Sequence, residues 1–192
     1  PDARRLVIVN GAGDWAQVRE GEARQALAQR ALPMPVEYLS GLSTPALLDR
    51  LRALPADSIV FSQGYFLDGA GIASTPLESI QQMLKAAPAP IYTVYASQLG
   101  SGVVGGRMSS FTEMGRQTRR VVEEILLGQP DAVSRGVRPA LAAPAQLDWR
   151  ALQRWGVPLD RVPADAEVHF RQPGLWEAYR SQALVAALVL LA

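Results

Sequence analysis

Chemistry in this chain would have to come from few side chains. Asp14 and Asp68 are the carboxylates that fall in loops expected at one end of a sheet. Paired carboxylates can act as general acid and base, but no nucleophile or metal-ligand spacing accompanies these two. Solvated loop positions or contacts to a ligand amine suit them better. The single histidine, His169, lies in the alternating segment Glu167-Val168-His169-Phe170-Arg171. A surface position on an edge strand accounts for it. A His-based triad or metal site would have to rest on that residue alone. The chain has no cysteine, which removes thiolate metal sites, cysteine nucleophiles and disulfides.

One motif points toward a cofactor. Gly11-Ala12-Gly13-Asp14-Trp15-Ala16 fits G-x-G-x-x-A, follows an apolar strand and opens a helix. A dinucleotide could place its pyrophosphate at such a helix N-terminus. Against this, Asp14 puts negative charge where the phosphates would lie. The acidic residue wanted at the end of the second strand is also missing, since Glu37 sits near its start and Leu39-Ser40-Gly41 ends it. A tight turn, with Asp14 as helix cap or polar ligand contact, is the reading adopted. No cofactor is implied.

The remaining polar and aromatic residues suit binding better than catalysis. Trp15, Tyr65, Phe66 and Tyr95 fall at or just beyond expected strand ends. Such aromatics line pockets, and they also pack loops onto sheets. Ser62, Gln63, Ser97 and Gln98 are neutral donors and acceptors suited to a small polar ligand, or to satisfying loop backbone. The candidate ligand-binding set is Asp14, Trp15, Gln63, Tyr65, Phe66, Tyr95, Ser97 and Gln98.

The elements that must position these residues alternate. Strands are expected at residues 6–10, 36–39, 58–62 and 91–95, with a fifth at 103–108. Helices are expected at 17–31, with Val18, Ala23, Ala26, Leu27 and Ala31 as its apolar positions, at 44–54 and at 76–87. Thr44 would cap the second helix, with Pro45 at its first position. A further helix opens at Thr112-Glu113, carries Met114, Val121, Val122, Ile125 and Leu126 on one face, and stops at Gly128 and Pro130. Gly100, Gly102, Gly105 and Gly106 let the backbone before it approach a ligand or another strand closely. Alternation of this kind predicts an α/β fold with a parallel sheet and flanking helices. Ligands then sit beyond the carboxyl ends of the strands.

Length and charge are consistent with this reading. The 192 residues suffice for one α/β domain or two small lobes. Nineteen basic residues against eighteen acidic, scattered through separate elements, argue against a nucleic-acid partner. Residues 1–130 read as the α/β lobe with its hinge return, and 131–180 as an extended connection and membrane-proximal tail. Within that tail, 147–156 is expected to be a short helix capped by Asp148 and stopped by Gly156. Residues 183–192 are all apolar. Their length, short of the roughly 20 residues of a spanning helix, fits a core helix. Their all-round apolarity and the preceding Trp176-Glu177-Ala178-Tyr179-Arg180 cluster favour the start of a transmembrane helix.

The order of these segments resembles a known family. The strands LVIVN and SIVFS, then QGYF, PIYTVYASQLGSGVVGG, SSFTEMGRQTRRVVEEILLGQP, LDWRALQRWGV and VPADAEVHFRQPGLWEAYR, run through nearly the whole chain. Together they resemble the extracytoplasmic sensor region of bacterial sensor histidine kinases with a type I periplasmic-binding-protein-like domain. The glycine-loop segment is shared with transporter substrate-binding proteins and specifies fold; the Trp-rich tail is more specific. The resemblance implies two lobes closing on a small molecule, of which this chain holds the second and part of the first. It places Tyr95, Ser97 and Gln98 at the cleft. It also implies a membrane anchor, a periplasmic location and a homodimer formed through the parent protein. Relatives often have an aspartate where Ala96 stands, so their charged ligand contact does not carry over. A transporter substrate-binding component and, with less support, a nucleotide-dependent α/β enzyme are the alternatives.

Overall fold

The computed structural model describes residues 3–30, 32–108, 111–128 and 144–171. Strands β1 (Arg5–Asn10), β2 (Val36–Ser40), β3 (Ser58–Gly64), β4 (Ile91–Thr93), β5 (Gly105–Arg107), β6 (Ala145–Asp148) and β7 (Glu167–His169) form one sheet in the order β2-β1-β3-β4-β5-β6-β7. The first five are parallel, as the alternating sequence predicts. Central β1 is a run of Leu6, Val7, Ile8 and Val9 because parallel strands are covered on both faces; Val7, Ile8 and Val9 are fully buried.

The helices are α1 (Asp14–Ala28), α2 (Thr44–Arg52), α3 (Pro76–Ala86), α4 (Phe111–Leu126) and α5 (Trp149–Arg154). Helices α2 and α3 cover one face of the sheet. Leu47, Leu51, Ile80 and Met83 pack there with Val7, Val9, Val60 and Ile91. Each such side chain, fully buried, stabilises by about 1.5–3 kcal/mol, so this layer dominates the core. A Thr75–Glu78 capping box starts α3. Ser43, not Thr44, occupies the cap position of α2, without a side-chain cap bond, and the Thr44 hydroxyl donates to Asp68.

Two helices differ from the sequence reading. Helix α1 begins at Asp14 rather than residue 17, and none of its residues is buried. Its expected apolar face is mostly alanine, which offers little area to bury, and Val18 stays half exposed. Ala31 lies outside the described residues. Helix α4 has the expected amphipathic face, but Met114, Val122, Ile125 and Leu126 all stay exposed. Gly128, at φ 67°, follows its last turn as expected.

The stretch read as a tail contributes to the sheet. Strand β6 runs antiparallel to β5, and β7 is parallel to β6. A second apolar cluster of Val104, Leu147, Ala151 and Leu152 forms there, with Tyr92, Trp155 and Val168 packed against it. Gly105 makes this pairing possible: a Cβ on it would lie 2.0 Å from the Gln146 carbonyl oxygen. The glycine loop therefore admits another strand. Asp148 caps α5 as expected, accepting a 2.9 Å hydrogen bond from the Arg150 backbone N–H. His169 lies on the edge strand that its alternating segment predicts.

No helix of the described residues is long and apolar enough to cross a membrane. The apolar run 183–192 and the aromatic cluster before it lie outside the described residues.

Candidate ligand-binding site

The sheet order reverses direction between β1 and β3. From β1 the chain goes outward to β2, then returns to pair β3 on the other side. Crevices form beyond the carboxyl ends at such a point. Here a cleft of about 150 Å³ lies between the end of β1, the start of α1 and the loop after β3. Asn10, Trp15, Arg19, Gln63, Phe66 and Tyr95 line it.

A register shift shapes its floor. Val9 pairs with Ser62, but Asn10 pairs with Gly64, so Gln63 is the extra residue of a bulge. Asn10 Nδ2 then donates to Gln63 Oε1 at 2.9 Å. Asn10 Oδ1 is buried without a hydrogen-bond partner. The walls are aromatic. Phe66 and Tyr95 meet edge to face at 5.3 Å, and Trp15 is 68% exposed. Arg19 joins the two sides: it donates to the Gln63 carbonyl at 2.7 Å and to the Tyr95 hydroxyl. Its guanidinium lies 5.7 Å from the Trp15 ring and 5.5 Å from the Tyr95 ring.

Gly11 explains the dinucleotide-like motif in the chain's own terms. The Gly11 and Ala12 amides donate to the Gly64 and Leu67 carbonyls at 3.0 and 2.9 Å. A Cβ on Gly11 would sit 2.7 Å from the Leu67 oxygen. Glycine is needed there so that the loop after β3 can pack on the end of β1.

Of the sequence-derived set, the structure gathers Trp15, Gln63, Phe66 and Tyr95 at this cleft. The other four stand apart from its lining. Asp14 is the exposed first residue of α1; Gly13 occupies the cap position, and no side-chain cap bond forms. Tyr65 is buried, with its hydroxyl donating to the Leu42 carbonyl at 2.7 Å. Strand β4 ends at Thr93, so Tyr95 precedes a short 3-10 turn, Ala96–Gln98. Ser97 is exposed on that turn. Gln98 is only 1% exposed; its amide accepts from the Thr93 hydroxyl and donates to the Pro76 carbonyl at 2.9 Å. It ties β4 to the start of α3.

Asp68 also differs from expectation. It is 2% exposed, not solvated. The backbone amides of Ile72, Thr44 and Ala70 donate to it at 2.8–2.9 Å, and so does the Thr44 hydroxyl. The Ile72 amide, then Thr44, hold its carboxyl below the ordinary carboxylate value against the opposing effect of burial. It organises the loop after β3 and the start of α2.

Asn10 and Arg19 were not anticipated. A polar residue closing the apolar run of β1 was one available signal. Arg19 lies one helical turn after Trp15, so the two share a face. Among the described residues, no cluster of three or more acidic or histidine side chains could hold a metal.

A second, larger cavity of about 470 Å³ opens at the amino ends of the strands, lined by Ile59, Pro90, Tyr92, Trp155 and Val157, with Asp57 and Arg161 at its surface.

No family model matches the chain, and no curated protein matches it. Two solved structures are similar. A conserved domain protein from Vibrio cholerae O1 biovar El Tor aligns with a TM-score of 0.58 at 19% identity, covering 88% of this chain and 55% of that one. An ABC domain from Streptococcus pneumonia in complex with L-Trp aligns with a TM-score of 0.55 at 14% identity, covering 81% of this chain and 51% of that one. The chain thus spans about half the length of each. The likeness is one of fold: α/β, with a mostly parallel seven-stranded sheet and flanking helices.

Proposed function

We propose that this chain is the small-molecule-sensing, extracytoplasmic part of a membrane-bound sensor histidine kinase. The observation that carries the binding role is the aromatic, Arg19-bridged cleft at the sheet's switch point. The similar ABC domain is in complex with L-Trp, which supports a small molecule as the ligand. Binding would favour a closed arrangement of two lobes and shift the population passed to the membrane helix. The role is binding rather than catalysis, and the location is the periplasmic side of the inner membrane. The sensor role rests on the Trp-rich tail named above.

The similarity to an ABC domain favours a second reading, a transporter's substrate-binding component. A chimera joining residues 1–192 to a transmembrane histidine kinase core distinguishes the two. The sensor reading predicts ligand-dependent phosphorylation. Binding without any change in phosphorylation, together with permease-dependent uptake of the same ligand, would support the transporter instead.

A further inference from the structure

We propose that Arg19 selects ligands carrying a carboxylate, and that the ligand class of this cleft is a small aromatic acid rather than an amine. This rests on the reading of the cleft as the ligand seat. Arg19 donates only to neutral oxygens, the Gln63 carbonyl and the Tyr95 hydroxyl. Among the described residues no carboxylate lies within ion-pair distance of it. The adjacent Glu20 is taken by Arg24, whose Nε donates to it at 2.9 Å. The cation is therefore oriented but not neutralised.

Its geometry leaves room for an acid. Both hydrogen bonds leave through Nη1. Nε and Nη2 retain their N–H groups, which can grip two carboxylate oxygens side by side. Trp15 and Tyr95 flank the guanidinium and hold its plane, so little side-chain freedom remains to be lost on binding. The uncapped start of α1 adds partial positive charge. Asp14 opposes it there, but its side chain is exposed and screened by solvent.

The rest of the cleft specifies an aromatic body. Trp15 is largely exposed, and Phe66, packed edge to face on Tyr95, is partly so. Apart from the Arg19 guanidinium beside it, the exposed Trp15 ring offers a stacking surface for a ligand. The buried, unpartnered Asn10 Oδ1 supplies an acceptor for an N–H on the ligand. An indole carrying an acidic side chain matches all three features. An amine would meet the same guanidinium as a like charge.

Three probes of one shape test this: indole-3-acetate, indole-3-acetamide and tryptamine, titrated calorimetrically into the 192-residue chain. The acid should bind at least about tenfold more tightly than the amide, the range expected of a charge-assisted hydrogen bond. Tryptamine should bind most weakly. In Arg19→Gln the acid and the amide should bind with equal affinity, whatever that affinity is, while Arg19→Lys should retain part of the preference. Circular dichroism confirms that each variant folds. Equal or tighter binding of the amide or amine overturns the proposal and leaves the ligand seat standing. An acid preference that survives in Arg19→Gln also overturns it. Failure of all three probes to bind the folded wild type overturns both this proposal and the ligand seat.

Discussion

The two ends of the sheet carry clefts of opposite character. At the amino ends the cavity is about three times larger, and its lining includes Asp57 and Arg161. At the carboxyl ends the cleft is small, but its groups converge. A bulge turns Gln63 toward Asn10, and an arginine bridges two aromatic walls. Volume alone would choose the first. Orientation of polar groups, at the point where the chain reverses, chooses the second. Tyr92 and Trp155, which line the larger cavity, also pack against the second apolar cluster.

This contrast can be broken most severely at Gly11. Gly11→Val should force the loop after β3 away from β1, abolish binding of an indole acid and lower stability by about 2–3 kcal/mol, measured by urea unfolding. Acid should act next. Asp68 has a lowered folded pKa, so its stabilising contribution is complete above the unfolded carboxylate value of about 3.9 and disappears as pH falls through the folded value. Asp68→Asn should therefore lower the unfolding midpoint at neutral pH and flatten the acid limb of its pH profile. A smaller effect is expected from Tyr95→Phe. It removes the hydroxyl that positions Arg19 and should weaken acid binding by about three- to tenfold with the fold intact. Trp155→Phe, at the other end of the sheet, should leave that affinity unchanged. A loss there as large as that of Tyr95→Phe would reverse the comparison.

Much of the fold was legible because parallel strands are continuous apolar runs, and β1 and β3 stand out. Helix signals were legible where a cap or turn residue declared them, as at Pro76, Gly128 and Asp148. Less legible were features decided by tertiary partners. Nothing local reveals that residues 145–148 pair with β5, because the permission comes from Gly105 forty residues earlier. The burial of Asp68 and Gln98 was hidden for the same reason: distant backbone groups satisfy them. Of the aromatic and polar residues at strand ends, Trp15, Gln63, Phe66 and Tyr95 line the cleft, whereas the Tyr65 side chain turns under the loop toward Leu42. Arg19 escaped because it sits inside a helix, where charged residues are usually solvated. Only the fold brings it against Tyr95.

The most direct test of where a ligand sits is amide chemical-shift mapping of the isotopically labelled chain with indole-3-acetate. The account predicts shifts concentrated at Gly11, Trp15, Arg19, Gly64, Phe66 and Tyr95. Shifts concentrated instead at Ile59, Tyr92, Trp155 and Val157 would contradict it and move the ligand seat to the other end of the sheet.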